Sequence, residues 1–379
     1  MIDITSFGMR ITQEQEFRIG ALNLFTSLSQ INLLQVVAYE MPSMQAVIIK
    51  DGKGPIENLY IGEIEKPVPG HGEVLVKIKA FGLNRMDIYQ REGKYPLPPG
   101  APETLGVEFS GTIAEVGQAC NPMWKEGDEV IGLASGGAYA EYILVRQTNL
   151  MRKPPHLSWI EAASIPENFL TAYQALVPIA QVKEGDDVLI HAGASGVGIA
   201  AIQLARLYGA KTITATTSTQ EKIDFVLKMP NGATHGVNYK TQDFAEEVSK
   251  ITNGKGVDVV IDFVGQSHWH KNIAALAKDG RMTLLAFMSG SVIKEVDIGP
   301  ILYKRLHIEG STLRSRSNEY QADLIAKFQK DVVDEITGSE GHGKLRTYIH
   351  EVYPWQKIQE AHRAMQSDSN AGKLIMTIC

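Results

Sequence analysis

Asp187-Val-Leu-Ile-His191-Ala-Gly193-Ala-Ser195-Gly196-Val197-Gly198-Ile-Ala-Ala-Ile-Gln-Leu-Ala-Arg206 is the stretch whose reading decides the fold. The apolar run Asp187 to His191 reads as a buried strand, and the apolar-periodic segment from Gly198 onward reads as a helix. A glycine-rich turn joins them. In that context the N–H groups and dipole of a helix N-terminus hold a pyrophosphate. Glycine permits unusual φ/ψ and leaves space where a side chain would block the approach. The spacing Gly193-x-x-x-x-Gly198 matches the outer glycines of G-x-G-x-x-G. Ser195 takes the middle place, where its hydroxyl is a candidate phosphate donor. Gly193, Ala194, Ser195, Gly196, Val197 and Gly198 are therefore candidate cofactor-binding residues.

The next strand, Lys211 to Thr216, carries the second test. NAD-binding units place an acid about 20 residues beyond the glycine turn to hold the ribose 2′-OH. Thr214 to Thr219 contains neither Asp nor Glu. Small hydroxyl residues and a lysine (Thr217, Ser218, Thr219, Lys222), with Tyr239 after the following strand, suit a 2′-phosphate, which needs donors and positive charge. The pattern points to NADP, with Glu221 as the one opposing charge.

Farther out, strands read at Gly236–Tyr239, Val257–Asp262 and Met282–Phe287, with helical segments between them. Strands alternating with helices predict a doubly wound parallel sheet, an α/β Rossmann domain over residues 166–315. Residues 44–165 read differently. Val74 to Lys79, Gly106 to Gly117, Asp128 to Leu133 and Tyr139 to Val145 are short strands punctuated by Gly and Pro, which predicts a β-barrel domain. The last strand, Lys373 to Ile378, is placed to rejoin it, so residues 316–379 are assigned there. Residues 1–43 read as an extension, with a helical stretch from about Glu14 to Tyr39. A mitochondrial presequence is the alternative reading, although Asp3, Glu14 and Glu16 offset Arg10 and Arg18.

The chain has 379 residues and a net charge of −6. That length suits two domains, and that charge argues against a general nucleic-acid binder. Two cysteines, Cys120 and Cys379, exclude a disulfide scaffold and suit a reducing cytoplasm. No apolar run is long enough to span a membrane. His268 and His270 read as a solvated pair on a helix rather than metal ligands.

Several separated motifs resemble the medium-chain dehydrogenase/reductase superfamily and, within it, the zinc-free quinone oxidoreductases. They are Leu83-Asn84-Arg85-Met86-Asp87, Gly93-Lys-Tyr95-Pro, Leu105-Gly-Val107-Glu108-Phe-Ser-Gly, Trp124-Lys-Glu-Gly-Asp-Glu-Val, Phe169-Leu-Thr171-Ala-Tyr, Asp262-Phe-Val264-Gly265 and Leu313-Arg314-Ser-Arg316. Glu167 and the Leu313–Arg316 run look most similar to the tumour-suppressor-inducible quinone reductase subgroup. The resemblance runs from Met44 to the C-terminus. It implies a GroES-like β domain interrupted by a Rossmann domain, an active site in the cleft between them, and a homodimer joined through Rossmann edge strands near Leu284 to Phe287 and His307 to Ser311.

Zinc-dependent relatives hold the metal with a Cys where this chain has Asn84 and a His where it has Val107; neither residue can replace the ligand, and four cysteines for a structural zinc are lacking. The implied chemistry is metal-free hydride delivery from NADPH to an electron-poor acceptor, a quinone or an α,β-unsaturated carbonyl. By resemblance Asn84, Tyr89 and Tyr95 line the acceptor side as candidate catalytic residues, with Asp87 as an orienting group. Apolar wall and stacking surface is the alternative reading for both tyrosines. Thr171, Val264, Gly265, Phe287, Met288, Leu313 and Arg314 are the implied contacts of the cofactor, with Arg316 as a possible reach from the same loop. The alternatives to quinone reduction are alkenal or enone (enoyl) reduction and a non-enzymatic role, the RNA binding or lens-crystallin recruitment found among relatives.

Overall fold

The computed structural model describes residues 42–338 and 343–378. The helix expected between Glu14 and Tyr39 lies outside them. The described residues begin with the antiparallel pair β1 (Ser43–Ile49) and β2 (Leu59–Glu65). Next come β3 (Glu73–Gly82), β4 (Glu108–Val116), β5 (Glu129–Leu133), β6 (Tyr142–Arg146) and β7 (Leu150–Arg152). In β3, Val74, Val76, Ile78 and Phe81 turn into an apolar core that also holds Phe109 and Tyr139. β3 pairs with β4 along one edge. Its other edge is shared by β6, beside Glu73 to Lys77, and by the last strand, beside Ala80 to Gly82. One long strand serving two neighbours end to end curls the sheet into the expected barrel.

The second sheet consists of β8 (Asp187–Ile190), β9 (Thr212–Thr217), β10 (His235–Asn238), β11 (Val257–Asp262), β12 (Leu276–Leu284) and β13 (His307–Gly310). All its pairs are parallel, in the order β10-β9-β8-β11-β12-β13. The chain winds outward in opposite directions from β8 and β11, so a crevice opens beyond the C-terminal ends of those two strands. Two expectations need correction. β12 starts six residues earlier than the sequence pattern indicates, and Phe287 falls in the loop after it. The register jumps between Val257↔Leu276 and Val259↔Arg281, and the excess is absorbed by a bulge with Asp279 at φ 59. Leu284 is also no free edge, because β12 is paired on both sides; on this side of the sheet the edge strand is β13, and on the other it is β10.

The chain then returns through β14 (Ile336–Thr337), β15 (Leu345–Arg346), β16 (Ile349–Pro354) and β17 (Lys373–Thr377). β17 lies between β16 and β3, which ties the C-terminus to the barrel. Among the described residues no helix is long and apolar enough to cross a membrane.

Candidate active site

Beyond β8 and β11 lies a cleft of about 510 Å³, walled by both the barrel and the parallel sheet. The glycine turn forms its floor. Gly193, Gly196 and Gly198 all have ordinary φ, and it is Ala192 that adopts the left-handed region, at φ 47. The glycines are needed for their missing side chains. A Cβ on Gly198 would stand 2.3 Å from the Ala192 carbonyl oxygen, and one on Gly193 2.8 Å from the Ala215 methyl. On Gly196 it would meet the Asn168 amide at 2.6 Å, where the helix Pro166–Gln174 presses on the turn.

Ser195 is the N-cap of the helix Gly196–Leu207, and its Oγ accepts the Gly198 N–H at 3.0 Å. The N–H groups of Gly196 and Val197 have no intrahelical partner, and both residues line the cleft. Ala194, Ser195, Gly196 and Val197 line the cleft; Gly193 and Gly198 stand behind them as spacers.

Thr217, Ser218, Lys222 and Tyr239 gather at the end of β9, as the sequence places them. Thr219 does not line the cleft. Its hydroxyl caps the helix Gln220–Lys228 by accepting the Lys222 N–H. Among the described residues, three cations line the cleft (Arg85, Lys222 and Lys373) against a single acid, Asp368.

Beneath this floor runs a buried polar chain that sequence reasoning missed. His191 meets Thr216 at 2.9 Å and Asn272 at 2.7 Å; Asn272 donates to Asp262 at 3.1 Å. The Asp262 carboxylate accepts from the N–H groups of Val264 at 2.7 Å and Gly265 at 3.2 Å, which fixes the loop after β11. Val264, Phe287 and Met288 line the cleft from that side, and Gly265 does not. Gly265 sits at φ 80 behind Phe287 and makes the tight loop possible. His268 also departs from expectation. It is 93% shielded (7% exposed), edge-on to His191 and Tyr239, and burial drives its pKa down to about 4; only His270 is exposed.

At the inner end the barrel and sheet meet in a cluster of charges. Lys373 pairs with Glu108 at 2.5 Å, with both side chains almost fully buried. Its ammonium also donates to the Leu83 carbonyl and to Asn84 Oδ1, each at 2.8 Å. Asn84 Nδ2 donates to Glu108 Oε1 at 3.0 Å, and Glu108 Oε2 accepts the Glu167 N–H at 2.8 Å. Asp87 accepts from the Asn84 N–H at 2.8 Å, from Gly106 N at 3.3 Å and from Tyr139 Oη at 3.0 Å. Burial pushes the Asp87 carboxyl up to about 6. Glu167 rises to about 7, first through desolvation and then through the neighbouring Glu108. Glu108, Lys373 and the acidic charge of Glu167 carry no sequence signal beyond their motifs.

Asn84 and Tyr89 line the cleft, but the Asn84 amide is already committed at both ends. Tyr95, Thr171, Leu313 and Arg314 do not line it. The Thr171 hydroxyl turns to Glu167, and Leu313 packs in the core. Arg314 is buried, donates to the Ser135 carbonyl and to Gln90, and stacks on the Tyr95 ring; these bonds hold it away from the cofactor groove. Arg316 stacks on Tyr320 instead. Val107 is buried in the barrel. Among the described residues no group of three or more His, Cys, Asp or Glu is arranged to hold a metal.

Residues 70–155 match the alcohol dehydrogenase GroES-like domain, and residues 196–330 match a family described as zinc-binding dehydrogenase. The chain is 32% identical over 337 residues to human quinone oxidoreductase, covering 88% of this chain and 98% of that one. A solved NAD-dependent alcohol dehydrogenase superposes with a TM-score of 0.75 at 31% identity, covering 89% of this chain and 100% of that one. The JamJ enoyl reductase does so with 0.75 at 31% identity, covering 89% of this chain and 99% of that one. One of these relatives is NAD-dependent by name and the other two are an oxidoreductase and a reductase, and the open turn at Ser195–Gly198 fits a nicotinamide dinucleotide. The chain belongs to the medium-chain dehydrogenase/reductase superfamily, a family of oxidoreductases.

Proposed function

We propose that the chain passes a hydride from NADPH to a quinone without a metal. The carrying observation is the acid-free end of β9 facing the cleft with Lys222 and Ser218, in a site with three cations to one acid. When bound, NADPH supplies the hydride equivalent from its nicotinamide ring. Backbone N–H groups of the Gly196 turn take the pyrophosphate, and Val264, Phe287 and Met288 wall the nicotinamide half. Tyr89 faces the acceptor; its Oη donates to the oxygen that gains charge. Lys373, held by Glu108 and Asn84, places a fixed positive charge behind that oxygen. Alcohol oxidation is disfavoured, because the position of the first zinc ligand holds Asn84, bonded to Lys373 and Glu108, and that of the second holds the buried Val107.

Steady-state NADPH oxidation with a small para-quinone, beside a 2-alkenal and NADH controls, tests this. No quinone-dependent turnover sinks the reading, and faster turnover of the alkenal moves it to enone reduction. Lys222→Ala raises the KM for NADPH roughly tenfold and that for NADH little; equal rises remove Lys222 from the phosphate. We also infer a cytoplasmic homodimer built on β13. The exposed apolar residues Ile298, Leu302 and Tyr303 lie just before that unpaired edge, and sedimentation as a monomer overturns it.

A further inference from the structure

We propose that Asp368 and Arg85, both outside the Rossmann sheet, set how far the cleft favours a cofactor with a 2′-phosphate over one without. The proposal rests on the assignment of the β9 end to the ribose. Lys222, which follows that strand, already reaches across the cleft: its Nζ donates to the backbone carbonyl of Asp368 at 2.6 Å. The Asp368 carboxylate is paired with the Arg85 guanidinium. Arg85 opens the helix Arg85–Arg91 on the barrel side and is close enough to Lys222 to help hold that lysine's pKa below its usual value, after desolvation as the main cause. Two cations from opposite walls therefore meet at one residue, Lys222 on the Asp368 backbone carbonyl and Arg85 on its carboxylate, and all three residues line the cleft.

The strand end lacks the acid that holds a ribose 2′-OH in NAD-binding units. Asp368 supplies an acid at the same place from the other side. A ribose 2′-OH can donate to it while the Arg85 pair stays intact. A 2′-phosphate carries up to two negative charges and several acceptor oxygens, and takes Arg85 and Lys222 for itself. It then confronts the Asp368 carboxylate. The Arg85–Asp368 pair is solvent-accessible at 29% and 65% side-chain exposure, so exchanging partners costs little. Asp368 is thus the brake on NADP and Arg85 the support for it.

Calorimetric titration of the full chain with NADP⁺ and NAD⁺ tests the pair without any acceptor. Asp368→Asn is expected to raise the ratio of NADP⁺ to NAD⁺ affinity about three- to tenfold, and Arg85→Gln to lower it by a similar factor. Added salt weakens NADP⁺ binding less in Arg85→Gln than in the natural chain. A ratio that Asp368→Asn leaves unmoved overturns the proposal, whichever cofactor the natural chain prefers. A natural chain that prefers NAD⁺ refutes the NADPH assignment instead, and the proposal survives it if the two variants still shift the ratio in opposite directions. Equal shifts of both affinities reduce the pair to a structural contact and also overturn it.

Discussion

The two ends of the cleft are built by opposite means. At the pyrophosphate end the chain contributes what it leaves out: three glycines that keep Cβ atoms away from Ala192, Ala215 and Asn168, and N–H groups left open by the start of a helix. At the inner end it contributes charge held in place, with Glu108, Lys373, Asn84, Asp87 and Glu167 linked by hydrogen bonds across the barrel and the helix Pro166–Gln174. One end is a local feature of about a dozen residues. The other is assembled from four remote segments. Damage at the first should fall on cofactor affinity, and damage at the second on the fold.

The largest effect is expected at the inner end. Lys373→Met leaves the Glu108 carboxylate buried without its cation, which costs about 3–5 kcal/mol of stability. Adding Glu108→Gln removes the stranded charge and should recover most of that loss. Urea unfolding of the two variants decides it; a single variant within about 1 kcal/mol of the natural chain would show that the pair does not hold this end together.

Next comes the spacer behind the turn. Gly198→Ala drives a methyl into the Ala192 carbonyl at 2.3 Å and toward the Gly193 Cα at 2.9 Å, both backbone atoms that cannot step aside. About 1–3 kcal/mol of strain is expected, seen both in melting temperature and in a rise of roughly tenfold or more in the Kd for NADP⁺. Gly196→Ala should be milder, because its obstacle is the Asn168 side chain. Equal losses at the two positions would mean that the turn yields as a whole.

This contrast explains what the sequence made readable. The strand, turn and helix from Asp187 to Leu207 are contiguous, so spacing alone locates the turn that forms the floor of the cleft. The alternation of β3 and the apolar strands of the second sheet were legible for the same reason. Lys373 and Asn84 are 289 residues apart and meet only because β17 rejoins β3. No local pattern reports such a meeting. Arg314 reads by resemblance as a cofactor contact, and its bonds to Ser135 and Gln90 depend on the fold. The left-handed residue of the turn escaped notice because alanine does not advertise that conformation.

Glu167 sharpens the comparison through pH. Its folded-state pKa is raised to about 7 from an ordinary value of 4.5, so folding favours the protonated carboxyl. That stabilisation is complete below pH 4.5 and is lost as pH rises through 7. Glu167→Gln keeps the neutral form at every pH. The variant should therefore gain on the natural chain between pH 5 and 7.5 and hold a constant advantage above that, while the histidines His191, His268 and His362, buried neutral in both chains, cancel. A difference in urea midpoint that stays flat from about pH 5 to pH 8 would place Glu167 in a solvated setting.

The smallest effect separates the two roles of Ser195. Its Oγ accepts from Gly198 N as a helix cap, and its own proton stays available for a phosphate oxygen. Ser195→Ala removes both; Ser195→Gly removes the hydroxyl but loses only a few tenths of a kcal/mol of capping. If the hydroxyl serves only the helix, Ser195→Ala lowers stability by about 1 kcal/mol, Ser195→Gly hardly at all, and neither moves the Kd for NADP⁺. If it also donates to the pyrophosphate, both variants weaken NADP⁺ binding by a similar factor, about fivefold, despite their different stabilities. Matching Kd values beside unequal melting temperatures identify the donor, because a cap acts through the helix and a phosphate contact acts through the ligand. The second outcome would give the floor of the cleft one working side chain of its own, and would narrow the contrast with the inner end to a difference of degree.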